Sequence, residues 1–342
     1  MQVQADVSLA DYSTMGLGGQ AAYLTTVADR MELLEALSWA QSRNLSVLMI
    51  GNGSNIVWSD EGFPGLIIVN AIRRYEVFEE DEANTYITAG AGEPWDSVVE
   101  RSVQAGLSGI EALSLIPGTT GAAPVQNVGA YGQEISQTLA TIEAFDVQAK
   151  DFVTLRAEDC GFGYRTSRFK TTGRGRFFIT AITLHLTKTM MKPPFYASLQ
   201  KYIDEHGVTD YSPAAVRAAV IAIRSTKLPD PAVIRNTGSF FANPVISEAQ
   251  FGPLLQTFED IPHWPLASGK IKIPAAWLIE QCGFKDYHDS ETGMATWPTQ
   301  PLVLVNEKAR STADLLAFKQ KILDAVQAKF GIMLEQEPEL LP

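Results

Sequence analysis

Cysteine is scarce in this 342-residue sequence, which contains only Cys160 and Cys282. The two residues are far apart, and neither has the neighbouring cysteine or histidine spacing of a metal site. A disulfide framework or a zinc site is therefore not expected. The sequence also has no apolar run of membrane-spanning length, and its start lacks the basic and apolar regions of a signal peptide. We expect a soluble cytoplasmic protein without a metal.

Basic residues are few relative to acidic ones. The chain has 27 Lys and Arg against 39 Asp and Glu, which gives a net charge of −12 and a pI near 4.9. A field of this sign repels nucleic acids and anionic membranes. We therefore expect neither as a partner, and an anionic ligand would need basic residues concentrated near its site.

The common nucleotide-binding motifs are missing. No Gly-Lys-Ser/Thr follows the turn at residues 51–55 (GNGSN), as a Walker motif would require. Gly90-Ala91-Gly92 follows a predicted strand, but Pro94 comes next and Trp95 stands where a Rossmann fingerprint has its third glycine. A nicotinamide, if one is used, is not bound by the usual fold.

One uncharged loop dominates the sequence: residues 116–132, IPGTTGAAPVQNVGAYG, hold four glycines and two prolines. Such a backbone can approach a bound group without side chains in the way. A long Gly/Pro/Ala loop orders poorly unless something fills it. A short apolar strand at residues 47–50 leads into the second glycine turn at 51–55. Together the two loops predict a site for a phosphate-bearing cofactor.

Hydrophobic periodicity predicts mixed helices and strands. Predicted helices cover residues 28–43, 95–105, 213–227 and 312–330, and predicted strands cover residues 47–50, 66–70, 85–90, 141–147, 152–155, 176–186 and 302–306. Ser212 and Ser311 are candidate helix caps, and Gly331 is a candidate helix end. The length favours two or three domains. We expect a boundary at Leu228-Pro229-Asp230-Pro231, where the prolines must end the preceding helix.

Arg165 is a candidate ligand for a carboxylate. It lies in Gly163-Tyr164-Arg165, and a guanidinium can bind a carboxylate through two parallel hydrogen bonds, which a lysine cannot do. The alternative is a surface turn with solvated arginines.

The two glycine loops, the Gly-Tyr-Arg segment and residues 236–244 (NTGSFFANP) resemble the UDP-N-acetylenolpyruvoylglucosamine reductases, flavoenzymes of peptidoglycan precursor synthesis. The resemblance extends from about Thr14 to Glu337. It implies an α+β fold, with an FAD-binding unit of the vanillyl-alcohol-oxidase (PCMH) type and an α+β substrate-binding domain. The implied segments are two FAD-binding subdomains at 1–71 and 72–190, a lid loop with a connecting helix at 191–228, and the substrate-binding domain at 229–342, whose tail returns to the active site.

The resemblance implies FAD as the cofactor and NADPH as the hydride donor. FAD would be bound noncovalently, because the first histidine is His185 and the N-terminal half offers no histidine tether. A monomer is expected. The implied FAD-binding residues are Gly51, Asn52, Gly53, Ser54, Asn55, Pro117, Gly118, Gly121, Ala122, Gln126, Asn127, Gly129, Ala130, Tyr131 and Gly132.

Three catalytic residues follow from the same resemblance. Arg165 and Glu337 would stabilise the charge that develops when hydride reaches the enolpyruvyl group of UDP-N-acetylglucosamine enolpyruvate. Ser239 would then donate the proton. Glu339 competes with Glu337, because this chain continues into Pro338 and ends at Pro342.

Further residues are expected to bind this anionic nucleotide sugar. The resemblance assigns Lys227 to the substrate phosphate and Tyr196 to a lid loop found in one branch of the family. The full set of expected substrate-binding residues is Tyr164, Tyr196, Arg224, Lys227, Asn243 and Lys272.

Two other functions stay open from the sequence. One is an FAD-linked oxidase that shares the cofactor domain, which rapid reoxidation by oxygen would reveal. The other is a flavin or nucleotide-sugar binding module without catalysis. In such a module Arg165, Ser239 and Glu337 would have no joint role.

Overall fold

The computed structural model describes residues 1–342 and divides them into two compact units. Unit 1 consists of Met1–Val7, Ala21–Asn52 and Phe63–Thr226. Unit 2 consists of Ser8–Gln20, Gly53–Gly62 and Lys227–Pro342. No helix has both the length and the apolar character that crossing a bilayer demands.

The chain forms twenty strands and seven α-helices. The strands are β1 (Gln4–Ser8), β2 (Gln20–Val27), β3 (Val47–Ile50), β4 (Ile56–Trp58), β5 (Phe63–Asn70), β6 (Tyr75–Glu79), β7 (Asn84–Gly90), β8 (Gly129–Ala130), β9 (Gln133–Glu134), β10 (Leu139–Asp146), β11 (Asp151–Arg156), β12 (Phe177–Thr187), β13 (Asn236–Ser239), β14 (Val245–Ser247), β15 (Trp264–Pro265), β16 (Lys270–Lys272), β17 (His288–Asp289), β18 (Met294–Trp297), β19 (Gln300–Asn306) and β20 (Glu339–Leu341). The helices are α1 (Arg30–Gln41), α2 (Trp95–Gln104), α3 (Ala197–His206), α4 (Pro213–Lys227), α5 (Glu248–Thr257), α6 (Ala275–Gln281) and α7 (Thr312–Phe330).

The first sheet of unit 1 has the strand order β1-β2-β5-β3, and β5 runs parallel to both β2 and β3. Helix α1 begins after Asp29, whose side chain accepts a hydrogen bond from the backbone N–H of Glu32. Its Leu33 side chain packs with Leu66 and Ile68 of β5 in one buried cluster. The helix and the two strands predicted in this region are confirmed.

The second sheet of unit 1 is antiparallel, with the order β11-β10-β12-β7-β6. Its core side is covered by α2, whose Trp95, Val98 and Val99 are fully buried with residues of β7 and β12. The cofactor loop of residues 116–132 follows α2, so this sheet and helix form its support.

Helices α3 and α4 form a separate cluster in unit 1 with Ala112. Helix α4 begins at Pro213, as the Ser212-Pro213 pair predicts, and the backbone N–H of Ala215 donates to Ser212 Oγ at 3.3 Å. It ends at Lys227, before the first proline of the Leu228–Pro231 segment.

Unit 2 contains the antiparallel sheet β13-β19-β18-β17 and the smaller sheet β14-β16-β15. Its core joins Phe240 and Phe241 with residues of α6 and α7. Helix α7 begins after Ser311, which forms a capping box with Asp314, and ends at Gly331 in the left-handed conformation. Both ends agree with the sequence prediction.

Unit 2 also contains a parallel pair formed by β20 and β4, in which Glu339 lies opposite Ile56. Three residues of β20 follow Pro338, and no strand pattern was found there from the sequence. This pairing places the residues after Glu337 beside the second glycine turn.

Candidate functional site

The cofactor loop is fixed to the end of β7 and the start of α2. The backbone N–H of Gly121 donates to the carbonyl of Ala91 at 2.9 Å, and that of Trp95 donates to the carbonyl of Gly118 at 3.0 Å. A Cβ at Gly121 would lie 2.5 Å from the Cβ of Ala91. Glycine is therefore required there for this close approach.

The two predicted glycine loops meet within unit 1. Gly51 lies directly against Thr119, so closely that a Cβ at Gly51 would overlap the Thr119 hydroxyl. Thr119 Oγ1 is buried and has no hydrogen-bond partner. Buried hydroxyls normally have partners, so this orphan, which adjoins Gly118, fits a polar group of a bound cofactor.

The second half of the glycine turn lies in unit 2. Gly53 has a φ of +74°, and its carbonyl accepts a hydrogen bond from the backbone N–H of Thr14 at 3.1 Å. The Asn55 carbonyl accepts from the N–H of Glu339 at 3.0 Å. Residues 53–55 of the turn are therefore fixed at both ends by backbone hydrogen bonds from other residues of unit 2. The predicted FAD contacts of Asn52, Ser54 and Asn55 stay predictions.

Arg165 lies in a tight turn between Gly163 and Thr166. The backbone N–H of each of these two residues donates to the carbonyl of the other, at 3.0 and 3.2 Å. Arg165 itself has a φ of +54°, which is unusual for a residue with a side chain. A guanidinium N–H (Nη2) donates to the carbonyl of Gly129 in the cofactor loop at 2.8 Å. The predicted carboxylate ligand is thus attached to the predicted cofactor loop.

Two more hydrogen bonds join residues 163–167, here called the arginine turn, to that loop. Ser167 Oγ donates to the Val125 carbonyl at 2.6 Å, and Asn127 Nδ2 donates to the Gly163 carbonyl at 3.1 Å. Asn127 is only 1% exposed. The family resemblance implies that Asn127 binds FAD. In the structure this amide bonds the protein itself, and the direct FAD contact of Asn127 stays a prediction.

Tyr131, Tyr196 and Arg224 come together in unit 1. The rings of Tyr131 and Tyr196 meet edge to face with centroids 6.1 Å apart. The Arg224 guanidinium lies beside the Tyr131 hydroxyl and interacts with it electrostatically. Burial raises the pKa of Tyr131 and lowers that of Arg224. Because Nε of Arg224 is also buried without a partner, this cluster fits a polar or anionic ligand.

Ser239 stands at the end of β13 in unit 2, opposite Val303 of β19. The side chain of Asn236 fixes the backbone just before Ser239, because its Oδ1 accepts a hydrogen bond from the N–H of Gly238 at 2.8 Å. Gly238 has a φ of +71° and open space around its Cβ position. Left-handed backbone, rather than lack of room, therefore requires glycine here. Ser239 is half-buried and precedes the buried Phe240.

Glu337 is paired with the segment that follows Ser239. The N–H of Glu337 donates to the Phe240 carbonyl at 3.0 Å, and the N–H of Ala242 donates to the Glu335 carbonyl at 2.9 Å. Glu339 belongs to the β20 pairing beside Asn55 and Ile56 instead. Of the two competing glutamates, Glu337 is the one whose backbone adjoins the serine segment.

Asn243 and Lys272 lie on neighbouring segments of unit 2. Oδ1 of Asn243 accepts from the N–H of Ala275 at 2.9 Å, at the start of α6. Nζ of Lys272 is 5.6 Å from the centre of the Trp264 ring. Lys227 ends α4, and its carbonyl accepts from Thr299 Oγ1 at 2.8 Å. The roles of these residues toward a substrate stay predictions.

The sequence did not point to Asp96 or Glu134, which the structure places around the cofactor loop. Asp96 accepts from Arg217 and from the N–H of Leu115, and Glu134 accepts from Asn127. No local sequence pattern joins Asp96 to Arg217, because the two residues lie far apart along the chain.

The comparisons with known proteins agree with this geometry. A family model described as an FAD binding domain matches residues 21–150, and one described as the C-terminal domain of UDP-N-acetylenolpyruvoylglucosamine reductase matches residues 230–341. The predicted FAD-binding domain and α+β fold class are thereby confirmed.

Relatives match over the whole length. The UDP-N-acetylenolpyruvoylglucosamine reductases of Cupriavidus pinatubonensis and Chromobacterium violaceum are 41% and 39% identical, covering 97% and 100% of this chain and 97% and 99% of their own. A crystal structure of the reductase from Thermus caldophilus has a TM-score of 0.69 at 26% identity, with 100% of both chains covered. The chain therefore belongs to the UDP-N-acetylenolpyruvoylglucosamine reductase family, whose members are FAD-dependent oxidoreductases.

Proposed function

We propose that this protein reduces the enolpyruvyl group of UDP-N-acetylglucosamine enolpyruvate to give UDP-N-acetylmuramate, with NADPH as the hydride donor, in peptidoglycan precursor synthesis. The names of the full-length relatives support this reaction. The structural observation that carries the proposal is the attachment of Arg165 to the cofactor loop through its hydrogen bond to Gly129.

The cofactor loops fit FAD. Gly51 and Gly121 allow close approach, and the buried Thr119 hydroxyl has no partner within the protein. When bound, FAD supplies a two-electron carrier between NADPH and the carbon–carbon double bond of the substrate. The loop of residues 116–132 would hold it through backbone amides, with no charged side chain in the way.

Arg165 would bind the substrate carboxylate. A hydride added to the methylene carbon of the enolpyruvyl group leaves negative charge that is shared with this carboxylate. A fixed guanidinium stabilises that charge without having to reorganise. Because one side of the Arg165 guanidinium is tied to Gly129, its orientation is set before substrate arrives.

Ser239 and Glu337 would complete the reaction. The Ser239 hydroxyl would donate a proton to the carbon next to the carboxylate, which is strongly basic at that stage. Glu337, on the strand segment beside Phe240, would stabilise the developing charge through a protonated carboxyl group or a hydrogen bond. Tyr164, Tyr196, Arg224, Lys227, Asn243 and Lys272 would bind the rest of the nucleotide sugar.

An anaerobic half-reaction tests the proposal. The purified protein is mixed with NADPH and then with UDP-N-acetylglucosamine enolpyruvate while flavin absorbance is followed. The flavin should bleach with NADPH and recover with the enolpyruvyl sugar. A flavin that recovers only with oxygen would replace the proposal with an oxidase, and a protein that binds no flavin would refute both.

The remaining predictions belong to the same proposal. We propose a monomer that acts in the cytoplasm, with domain segments at 1–71, 72–190, 191–228 and 229–342. Sedimentation analysis of the FAD-loaded protein measures the oligomeric state directly.

A further inference from the structure

Glu134 lies two residues after the cofactor loop, and the proposed reaction does not use it. It belongs to the short strand β9, where it pairs with Gly129 of β8. Its carboxylate oxygen Oε2 accepts a hydrogen bond from Asn127 Nδ2 at 2.9 Å. Its backbone N–H donates to Oε1 of Gln137 at 3.0 Å. A half-buried carboxylate beside the cofactor loop therefore contacts that loop through one amide.

That amide is the link between the cofactor loop and the arginine turn. Asn127 Nδ2 donates both to Glu134 Oε2 and to the Gly163 carbonyl, and Oδ1 accepts from the N–H of Ser136 at 3.2 Å. Both N–H groups of the amide are thus used. Asn127 has a φ of +49° and is almost completely buried, so this arrangement has little freedom.

The arginine turn depends on such outside support. Arg165 has a left-handed backbone, and a residue with a side chain stays in this conformation only when its surroundings hold it there. The first carbonyl of the turn, that of Gly163, is held by Asn127. A Cβ on Gly129 would lie 2.8 Å from Cγ of Glu134 and 3.1 Å from Nη1 of Arg165. Glu134 and Arg165 therefore both border Gly129.

We propose that Glu134 is a positioning residue for Arg165, acting through the amide of Asn127 and the Gly163 carbonyl. A carboxylate is a stronger acceptor than a neutral group, and it fixes the amide so that its second N–H points to the arginine turn. Without it a buried N–H of Asn127 loses its acceptor. The amide then gains an alternative orientation and the turn relaxes. This inference rests on the proposed function, since it requires that Arg165 bind a substrate carboxylate.

The test compares three variants of the FAD-loaded protein. Glu134→Ala removes the acceptor. Glu134→Asp keeps the charge but shortens its reach, and it serves as the second variant if Glu134→Ala does not fold. Glu134→Gln keeps an acceptor oxygen at the same reach. The control is Glu143→Ala, which removes a carboxylate of similar burial on β10 that pairs with Arg74, away from the arginine turn.

The readout is the dissociation constant of UDP-N-acetylglucosamine enolpyruvate, from its perturbation of the oxidised flavin spectrum, together with both half-reactions. We expect Glu134→Ala and Glu134→Asp to weaken substrate binding by about 10- to 100-fold, the effect of one unsatisfied buried hydrogen bond. Reduction of the flavin by NADPH should stay within about 3-fold, because no substrate carboxylate takes part in this half-reaction. Glu134→Gln should recover most of the affinity, and Glu143→Ala should keep all of it.

A double-mutant cycle with Arg165→Ala decides whether the effect passes through the arginine. If it does, Glu134→Ala should weaken binding no further in the Arg165→Ala protein, to within about 2-fold. An equal weakening in both backgrounds, or an equal loss in both half-reactions, would overturn the positioning role. Wild-type protein that neither binds nor reduces the enolpyruvyl sugar would refute the proposed function itself, and this inference with it. Normal wild-type turnover with unchanged Glu134 variants would refute this inference alone.

Discussion

Arg217 donates to both carboxylate oxygens of Asp96, at 2.7 and 2.9 Å, and so joins helix α4 to helix α2. Asp96 also accepts from the N–H of Leu115 at 2.5 Å, and Leu115 has a φ of +58°. One carboxylate therefore holds both the residue that precedes the cofactor loop and the helix that carries Arg224.

Replacing this carboxylate should destabilise the protein in a pH-dependent way. Asp96→Asn leaves Arg217 without its anionic partner and should cost about 1–3 kcal/mol of the free energy of unfolding at pH 7, given the partial exposure of the pair. Burial alone would raise the pKa of Asp96, but hydrogen bonds from Arg217 and Leu115 hold it below its usual value of 3.8.

The sign of the pH dependence follows from that shift. A carboxyl group whose pKa is lowered on folding contributes its full stability above its unfolded pKa and loses it as the pH falls through the folded pKa. Urea unfolding of wild type and Asp96→Asn should therefore show a constant difference from pH 8 to about pH 5 and a shrinking one below about pH 4. A difference that grows on acidification would contradict this account.

Ser239→Ala should separate the two half-reactions. Flavin reduction by NADPH needs no proton from Ser239 and should be unchanged. Reoxidation by the enolpyruvyl sugar should slow by about 100-fold or more, as expected for loss of a positioned acid. Anaerobic stopped-flow absorbance measures both steps. The control is Ser268→Ala, an exposed serine of unit 2; equal slowing of both steps in Ser239→Ala would disprove the proton-donor role.

Glu337→Gln and Glu339→Gln form a matched pair. The backbone of Glu337 adjoins Phe240, next to Ser239, whereas Glu339 lies in the β20 pairing with β4. We expect Glu337→Gln to lower kcat by about 100-fold and Glu339→Gln to change it by less than about 3-fold. Steady-state rates with saturating NADPH are sufficient. The reverse ranking would assign catalysis to Glu339.

Gly51→Ala should weaken FAD binding. The added Cβ would overlap the Thr119 hydroxyl, so Gly51 or the cofactor loop must shift. We expect the FAD dissociation constant to rise by about 10-fold or more, measured by adding FAD to the apoprotein and following quenching of its fluorescence. Gly252→Ala is the control, since an added Cβ on α5 contacts nothing. Unchanged FAD affinity in Gly51→Ala would show that the two loops need not meet to bind the cofactor.

Local chemistry made much of this fold predictable from the sequence. Helix α7 starts after Ser311 and ends at Gly331 because a capping side chain and a left-handed glycine act over only a few residues. Strand β3 matches its predicted range for a similar reason, since four consecutive apolar residues precede a glycine turn. The composition of residues 116–132 likewise indicated a cofactor loop without any knowledge of its surroundings.

Relationships between distant segments could not be predicted in the same way. Asp96 and Arg217 are 121 residues apart, and no local pattern joins them. Strand β20 has three residues and gains its structure from β4, which is itself only three residues long. The family resemblance gives Asn127 as an FAD-binding residue, whereas its bonds to Glu134 and Gly163 depend on loops folded beside it.

The assembly of unit 2 from three stretches of chain has a consequence for its synthesis. Its core contains Met15 and Val57 together with Phe318 and Leu334. A ribosome makes the first two of these residues long before the last two, so their apolar side chains have no native partners for most of translation. Exposed apolar segments of this kind invite aggregation. The core of unit 2 is therefore completed only after its last residues have been synthesised.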